Sequence, residues 1–548
     1  MLQYKLLSTM TKVFADEEPK AETLPLSILK GEIGSFQVAL KVYGWVKISA
    51  TAPGFKTRIR EVRAVPSNRP CRPGLEDPDY LRKTPGMYPD LLEDMLSDGS
   101  ARICDIWKSF WVDVETEDSV PTGDYPVTIR VDVLSERFEP TDEFVELVQT
   151  VHVTDCKLPK QTLMHTNWFH ADCLADYYQV PALSEEHWQI IENFAWAARE
   201  MGINMLLTPL FTPPLDTEIG CYRTTVQLID VTVENGQYTF GFDKLKRWVD
   251  MCHRCGIEYF EMSHLYSQWR TNNCPQIVAT VDGEYKRIFG WDDVATDAPY
   301  REFLACFLPQ LVEKLHAWGI ADRCRFHIKD EPHETFLETY KAEKAQVEPY
   351  IPGFKIMDAM SHFDYVKSGV IKCPVPIVDC KELDQFREAC KGDYWLYYCC
   401  GPEDIYTNRF FSQPSYRTRI LGTQLYTENA QGFLHWGYNF YNSERSRKHI
   451  NPFLVTDGYE AFPSGDAFIV YPGADGKAQE SIRYMLMRQA MYDLRAMQLL
   501  ESKIGREKVE EIINEGLDTK LSLADYPRCN GYLPTLRDKI NREIEKFI

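Results

Sequence analysis

Between residues 158 and 503 the chain alternates short apolar segments with longer amphipathic ones, and this rhythm constrains the fold more than any other feature. The short segments are LMHTNW (163–168), INMLLTP (203–209), EYFEMS (258–263), RFHIKD (325–330), KIMDAM (355–360), VPIVDC (375–380), YWLYYCC (394–400) and FLHWGYN (433–439). Most gaps between them carry the 3.6-residue apolar period of helices, as in SEEHWQIIENFAWAAREMG and YREFLACFLPQLVEKLHAWG, and QESIRYMLMRQAMYDLRAMQLLES follows the eighth. Eight β/α alternations predict a parallel (β/α)8 TIM barrel over 158–503, with an open doubly wound sheet as the structural alternative.

Residues 1–157 read differently. SFQVALKVYG, VKISATA, SFWVDVET, DYPVTIRVDVLS and FVELVQTVHVTD mix alternation with β-branched residues, which predicts an N-terminal β-sandwich. Its stretch from about Pro66 to Ser100, rich in Pro, Asp and Gly, reads as an excursion off the sheet. Residues 504–548 read as a helical appendage packed on the barrel. The fold class expected is thus α/β with an all-β accessory domain.

Composition narrows the function. In 548 residues the chain is 44% hydrophobic, ample for large cores, and carries a formal net charge of −20 without a long Lys/Arg block. That field opposes nucleic acid and anionic membranes and favours a neutral small-molecule substrate. The first twenty residues lack a signal-peptide pattern and no apolar run reaches the ~18 residues of a membrane span, so a cytoplasmic location is expected. The sixteen cysteines then read as reduced, buried side chains. Cys252-x-x-Cys255 lies on a helical pattern without a second pair to complete a zinc site, and Cys399-Cys400 ends an apolar run; both read as packing. No metal or cofactor is expected, and the oligomeric state is not legible.

In a barrel, chemistry belongs at the C-terminal ends of the strands. Polar and aromatic residues gather there: Asn167, Trp168 and His170 on the first, Glu261, Ser263 and His264 on the third, Asp330 and Glu331 on the fourth. Asp358 and Ser361 follow on the fifth, Asp379 on the sixth, Tyr397 and Tyr398 on the seventh, and His435, Trp436, Tyr438 and Asn439 on the eighth. Carboxylates, imidazoles and aromatic rings around one mouth suit a carbohydrate, whose ring faces stack and whose hydroxyls take charged partners. Asp330 and Glu331 are consecutive, with Cα atoms about 3.8 Å apart, so they are poorly placed to flank a sugar ring from opposite faces. A division of labour fits better. Glu331 protonates the leaving oxygen, while Asp330 accepts the N–H of a 2-acetamido group whose carbonyl oxygen attacks C1, the substrate-assisted exception to the two-flanking-carboxylate scheme. The plainer alternative makes Asp330 a turn cap and Glu331 a solvated acid.

FHIKDEPH, with HTNWFHADCLADYY (165–178), LLTPLFTPPLDT (206–217), EMSHLYSQWR (261–270) and GFLHWGYNFY (432–441), resembles the catalytic module of glycoside hydrolase family 123 and its relatives labelled domain of unknown function 4091. GDAFIVYPG followed by SIRYMLMRQAMYDL (465–494) resembles the family's end, and an N-terminal β-sandwich precedes the barrel in that family. The resemblance implies a β-N-acetylgalactosaminidase using substrate assistance, with Asp330 in the oxazoline-stabilising position and Glu331 in the acid/base position. Two positions depart from the pattern: Lys329 stands where a small residue is usual, and Arg270 where Gly is frequent. An inward-turned Lys329 ammonium would depress both acids; turned between strand and helix, its stem would carry it to solvent.

Among the remaining candidates, Trp168 and Trp436 suit the wall of an acetamide pocket, Tyr397 or Tyr398 a donor to the acetamide carbonyl, and His170 and His264 partners for sugar hydroxyls. Competing readings are a glycosidase acting on a sugar without the acetamide, with Glu261, Asp358 or Asp379 as nucleophile or base, and a carbohydrate-binding relative without turnover. A metal hydrolase built on His170, His264 and His327 lacks any familiar ligand spacing.

Overall fold

The structure, a computed structural model, describes residues 1–269 and 271–548; Arg270 lies outside the described residues. Residues 3–157 form two five-stranded sheets face to face. One runs Gln3–Ser8, Ile33–Lys41, Lys108–Thr116, Phe55–Ser67, Gly86–Asp94; the other Ser27–Lys30, Pro140–Lys157, Gly123–Leu134, Tyr43–Thr51, Ser100–Cys104. Their alternation is the physical cause of the layer. In Gly123–Leu134, Val127, Ile129 and Val131 are fully buried between the sheets and the residues between them are less so. The excursion off the sheet is shorter than the sequence indicates, because 86–94 and 100–104 are strands.

Eight short parallel strands follow: β1 (Met164–Asn167), β2 (Met205–Thr208), β3 (Tyr259–Met262), β4 (Cys324–Phe326), β5 (Lys355–Ala359), β6 (Cys373–Val375), β7 (Trp395–Tyr397) and β8 (Gly432–His435). Their order, β6-β5-β4-β3-β2-β1-β8-β7, is a barrel whose last seam, β6 to β7, is closed by a single parallel bridge between Ile377 and Tyr397. Met205 and Leu207 fill the interior with Met357, Val375, Trp395 and Leu434, while Leu206 faces the helical layer. Gly432 begins β8 because a Cβ there would collide with the Trp395 indole.

Two strands end sooner than the sequence patterns indicate. The β4 ladder stops at Phe326, four residues before Asp330, and beyond it the Ile328 N–H donates to the Asp358 carboxylate at 3.0 Å instead of to a neighbouring strand. β6 lies at 373–375 rather than 375–380; past it, pairing with β7 is reduced to the bridge between Ile377 and Tyr397.

Helices α1 (Glu185–Met201), α2 (Asp243–Cys255), α3 (Ala298–Ala317), α4 (Leu337–Val347) and α5 (Ile482–Ile504) pack outside the barrel. Ser184 caps α1 by accepting from the His187 N–H, and Gly202 ends it in the left-handed region at φ 104°. Cys252 and Cys255 are buried on α2. Two hairpins, Asp230–Glu234 with Gln237–Gly241 and Ile277–Val281 with Glu284–Phe289, form a further four-stranded sheet that the sequence reading did not include. No helix among the described residues is long and apolar enough to cross a membrane.

The sandwich and barrel meet across buried ion pairs. Arg483 holds Asp90 at 2.8 Å, Arg417 holds Asp77 at 2.6 Å and Asp79 at 2.7 Å, and Arg60 lies between Asp113 and Glu480. The C-terminal helix Tyr532–Glu545 packs on α5 and also on the strands Ser27–Lys30 and Pro140–Lys157, and its Arg537 pairs with Glu32 at 2.5 Å. The C-terminal segment therefore ties the two halves together rather than covering the barrel alone.

Candidate active site

The five residues after β4 are sorted by direction. Beyond the end of the β4 ladder the regular pleat is lost: His327 turns inward, whereas Lys329, two residues on, turns away from the barrel axis, where its ammonium donates to Glu343 Oε1 on α4 at 2.6 Å and to the Thr271 carbonyl at 2.5 Å. Lys329 is fully buried in this pair, so it neither enters the cleft nor reaches solvent. Burial raises Glu343 to about 7 despite the ammonium beside it. Asp330 returns to the cleft. Glu331 has φ 41°, a left-handed conformation that lets two consecutive carboxylates line one cavity.

That cavity, about 120 Å³, opens at the C-terminal end of the barrel. Trp168, Trp269, Trp436, Tyr397 and Phe462 supply its aromatic surface, and Leu215, Ala359 and Leu434 its apolar remainder. A third carboxylate, Asp216, also lines it, as do Cys399 and Cys400. Asp216 and Trp269, like Glu331, hold positive φ, 39° and 53°. Three non-glycine residues in the left-handed region around one cleft are backbone strain gathered where side chains must be aimed.

The acids differ in their partners. The Tyr397 hydroxyl donates to Glu331 Oε1 at 2.7 Å. Asp330 is 8% exposed, and its carboxylate accepts no hydrogen bond from the described residues. It does not cap the following turn; His333 does, accepting from the Thr335 N–H. Burial, then the neighbouring Glu331, push the Asp330 carboxyl well above the usual range. Glu331 is open to the cleft but crowded by protein on its other sides, and this raises it too, with the Tyr397 hydroxyl acting in the opposite sense. Two adjacent, desolvated carboxyls hold one proton between them in preference to two charges. Burial also lifts Asp216 to about 6, although its Oδ2 accepts from the Arg445 N–H at 2.9 Å.

Beneath the acids lies a buried network. His327 Nε2 meets Glu261 Oε1 at 2.6 Å and Nδ1 meets Asp358 Oδ1 at 3.0 Å, all three residues having no exposure. Burial pulls the ring down, but the hydrogen bonds to Asp358 and Glu261 outweigh it, and His327 is raised to about 9. Glu261 also accepts from the Trp168 indole N–H at 2.6 Å, so the network fixes the ring that floors the cleft. Tyr340 donates to Asp358 at 2.6 Å.

The sequence candidates therefore separate. Asp330, Glu331, Trp168, Tyr397 and Trp436 line the cleft. His170, His264 and Tyr398 do not. His170 accepts from Arg223 at 3.1 Å and donates to the Trp436 carbonyl at 2.9 Å, and burial lowers it to about 3, so it is a neutral ring supporting the wall. His264 is stacked on His327 at 4.1 Å, inside the protein. Tyr398 packs against Phe433 and His435. Glu261 and Asp358 are committed to His327, and neither they nor Asp379 are among the residues that line the cleft. His264, His327 and Asp358 bring ligand atoms within 4.8 Å of one another, but both His327 nitrogens are already engaged by carboxylates, which does not suit metal ligation. Sequence reasoning missed Asp216 and Trp269. Cys399 and Cys400, read as packing, line the cleft.

A parallel barrel with three carboxylates set among tryptophans at its C-terminal mouth, behind a β-sandwich, is laid out as a carbohydrate-active barrel. The sequence model of the glycoside hydrolase 123 catalytic domain matches residues 168–500, and the chain belongs to that family. It is similar to a family 123 glycoside hydrolase from Clostridium perfringens, described in a structural analysis of glycolipid glycan hydrolysis. The TM-score is 0.75 and identity 15%, over 100% of this chain and 98% of that one. Similarity extends to a β-glucuronidase from Ruminococcus gnavus, with TM-score 0.32 and 9% identity over 89% of this chain and 68% of that one. A GH5 xyloglucanase from Bacteroides ovatus gives TM-score 0.27 and 8% identity over 86% and 98%. No curated protein matches the chain.

Proposed function

We propose that the protein is a retaining, exo-acting β-N-acetylhexosaminidase that removes terminal 2-acetamido sugars, N-acetylgalactosamine foremost, by substrate assistance. One observation carries the reading: two consecutive carboxyls face one aromatic-lined cleft, one held by a phenol and the other without a described partner. An acetamide N–H aimed at Asp330 stabilises its anion, and the proton shared by the pair then resides on Glu331, where the leaving oxygen needs it. The acetamide oxygen attacks C1 as the glycosidic bond breaks, Asp330 balances the oxazolinium charge, and Glu331 then takes a proton from the incoming water. Trp168, Trp269 and Trp436 give the sugar apolar faces to stack on. The galacto preference rests on the family resemblance. A Lys329 ammonium in the cleft would favour a relative without turnover, but it is turned to Glu343.

A second reading is favoured by Asp216, the cleft carboxylate carried after β2 instead of β4. In it Asp216 serves as nucleophile or base opposite Glu331 on a sugar without the acetamide. Paired 4-nitrophenyl glycosides with and without the 2-acetamido group separate the two. Under substrate assistance only the acetamido member turns over, and Asp330→Asn loses rate whatever the leaving group. Glu331→Gln loses about 10²–10⁴-fold on poor leaving groups and far less on activated aryl ones. Near-normal activity of Asp330→Asn on an activated acetamido substrate would rule the mechanism out.

A further inference from the structure

Cys399 and Cys400 line the cleft and have no part in the hydrolysis described above. Their sulfurs lie 3.9 Å apart, with Cys400 exposed and Cys399 half-buried. The turn that carries them is fixed. The Cys399 N–H donates to the Gly401 carbonyl at 2.9 Å, and the Asn408 amide donates to the carbonyls of Cys399 at 3.0 Å and Pro402 at 3.2 Å. Two residues upstream, Tyr397 holds Glu331. The pair is thus a preorganised dithiol on the same short segment as a partner of the acid.

We propose that Cys399 and Cys400 are a redox modification site, in which a peroxide-class oxidant converts the dithiol to a disulfide between adjacent residues and so switches the cleft off reversibly. The exposed Cys400 sulfur attacks the O–O bond, one water leaves with the thiol proton, and Cys400 becomes a sulfenic acid. Cys399 Sγ displaces that hydroxyl, forming the S–S bond and releasing a second water. The dithiol gives up two electrons and two protons, and the peroxide takes up both. The hydrogen bond with Cys400, then burial and the Glu331 charge hold the Cys399 thiol well above its ordinary value, consistent with Cys400 being the sulfur oxidised first.

Adjacent residues make this disulfide a switch rather than a staple. Their Cα atoms are about 3.8 Å apart, below the ~4.4 Å at which ordinary disulfides begin. The closed ring is therefore strained, and strained disulfides are the readily reduced, regulatory kind. The sulfurs must approach by about 2 Å to bond, and closure re-aims the segment that carries Tyr397. The inference is independent of which sugar the cleft accepts.

The test is oxidation of the full-length reduced protein with a small excess of hydrogen peroxide, then iodoacetamide, digestion and mass analysis. The peptide spanning 399–400 is expected to lose about 2 Da and to take no alkyl group. Hydrolysis of 4-nitrophenyl N-acetyl-β-galactosaminide should fall on the order of tenfold or more, and dithiothreitol should restore both. Cys400→Ser, compared with its own untreated state, should keep its rate. Free thiols at both positions after treatment, a disulfide with undiminished rate, or equal loss in Cys400→Ser would overturn the proposal. If the reduced protein hydrolyses neither that glycoside nor the corresponding N-acetyl-β-glucosaminide, the acetamide reading has failed, and the switch is read on whichever aryl glycoside it does hydrolyse.

Discussion

Replacing His327 with glutamine measures the charge stored under the acids. The ring lies without exposure between Glu261 and Asp358 and is raised from 6.5 to about 9. At about 1.4 kcal/mol per pH unit, that rise corresponds to about 3 kcal/mol of folding stability. The folded protein holds this proton more tightly than the unfolded chain does. The contribution is therefore complete below pH 6.5 and is lost as pH rises through about 9. Glutamine keeps a polar group there but no charge, leaving two buried carboxylates without their cation, so the variant should lose about 3–5 kcal/mol near neutrality. The gap between the two proteins should then narrow by about 3 kcal/mol between about pH 6 and about pH 9.5. Urea unfolding followed by tryptophan fluorescence at several pH values reads the gap, and titrating groups outside the His327, Glu261 and Asp358 network cancel in the difference. A gap that does not change with pH would refute a charged ring.

Lys329→Met should cost about 3–5 kcal/mol in urea unfolding, because Glu343 stays buried without its cation, yet the basic limb of the pH–rate profile should not move. Tyr397→Phe removes the donor that favours ionised Glu331, so the same limb should shift to higher pH. Asp216→Asn should raise KM for the preferred glycoside by about tenfold, the worth of one hydroxyl bound to a charged acceptor, and should abolish any titration near 6 in the free-enzyme profile.

The barrel was legible because eight apolar segments recur with helices between them, a pattern that few architectures bury. The two extra hairpins carried the strongest local turn signals, Asn235-Gly236 and Asp282-Gly283. In a barrel repeat that region reads as loops between strands, which hides them. For the site, position along the chain told which end of the barrel a residue occupies but not which way it faces. Tyr397 and Tyr398 are neighbours at one strand end, and pleating sends the first into the cleft and the second into packing. His170 and His264 fail as cleft residues for a related reason, since their rings turn into the wall and the core. Asp216 and Trp269 lie within LLTPLFTPPLDT and EMSHLYSQWR, segments that carry the family resemblance, but neither was singled out, because they enter the cleft on loops through left-handed conformations that an Asp or Trp in a sequence does not announce.

The charges across the seam bear on heredity. Arg417 and Arg483, both wholly buried, belong to the barrel half, whereas Asp77, Asp79 and Asp90 belong to the sandwich. Each buried charge that loses its partner costs several kcal/mol, and a domain has only about 5–15 kcal/mol to lose. A barrel spliced behind a different N-terminal neighbour would keep its folded state only if the newcomer brought carboxylates to the same places. The seam thus sets an energetic condition on inheritance: exchanging either half alone leaves Arg417 and Arg483 buried without their carboxylates.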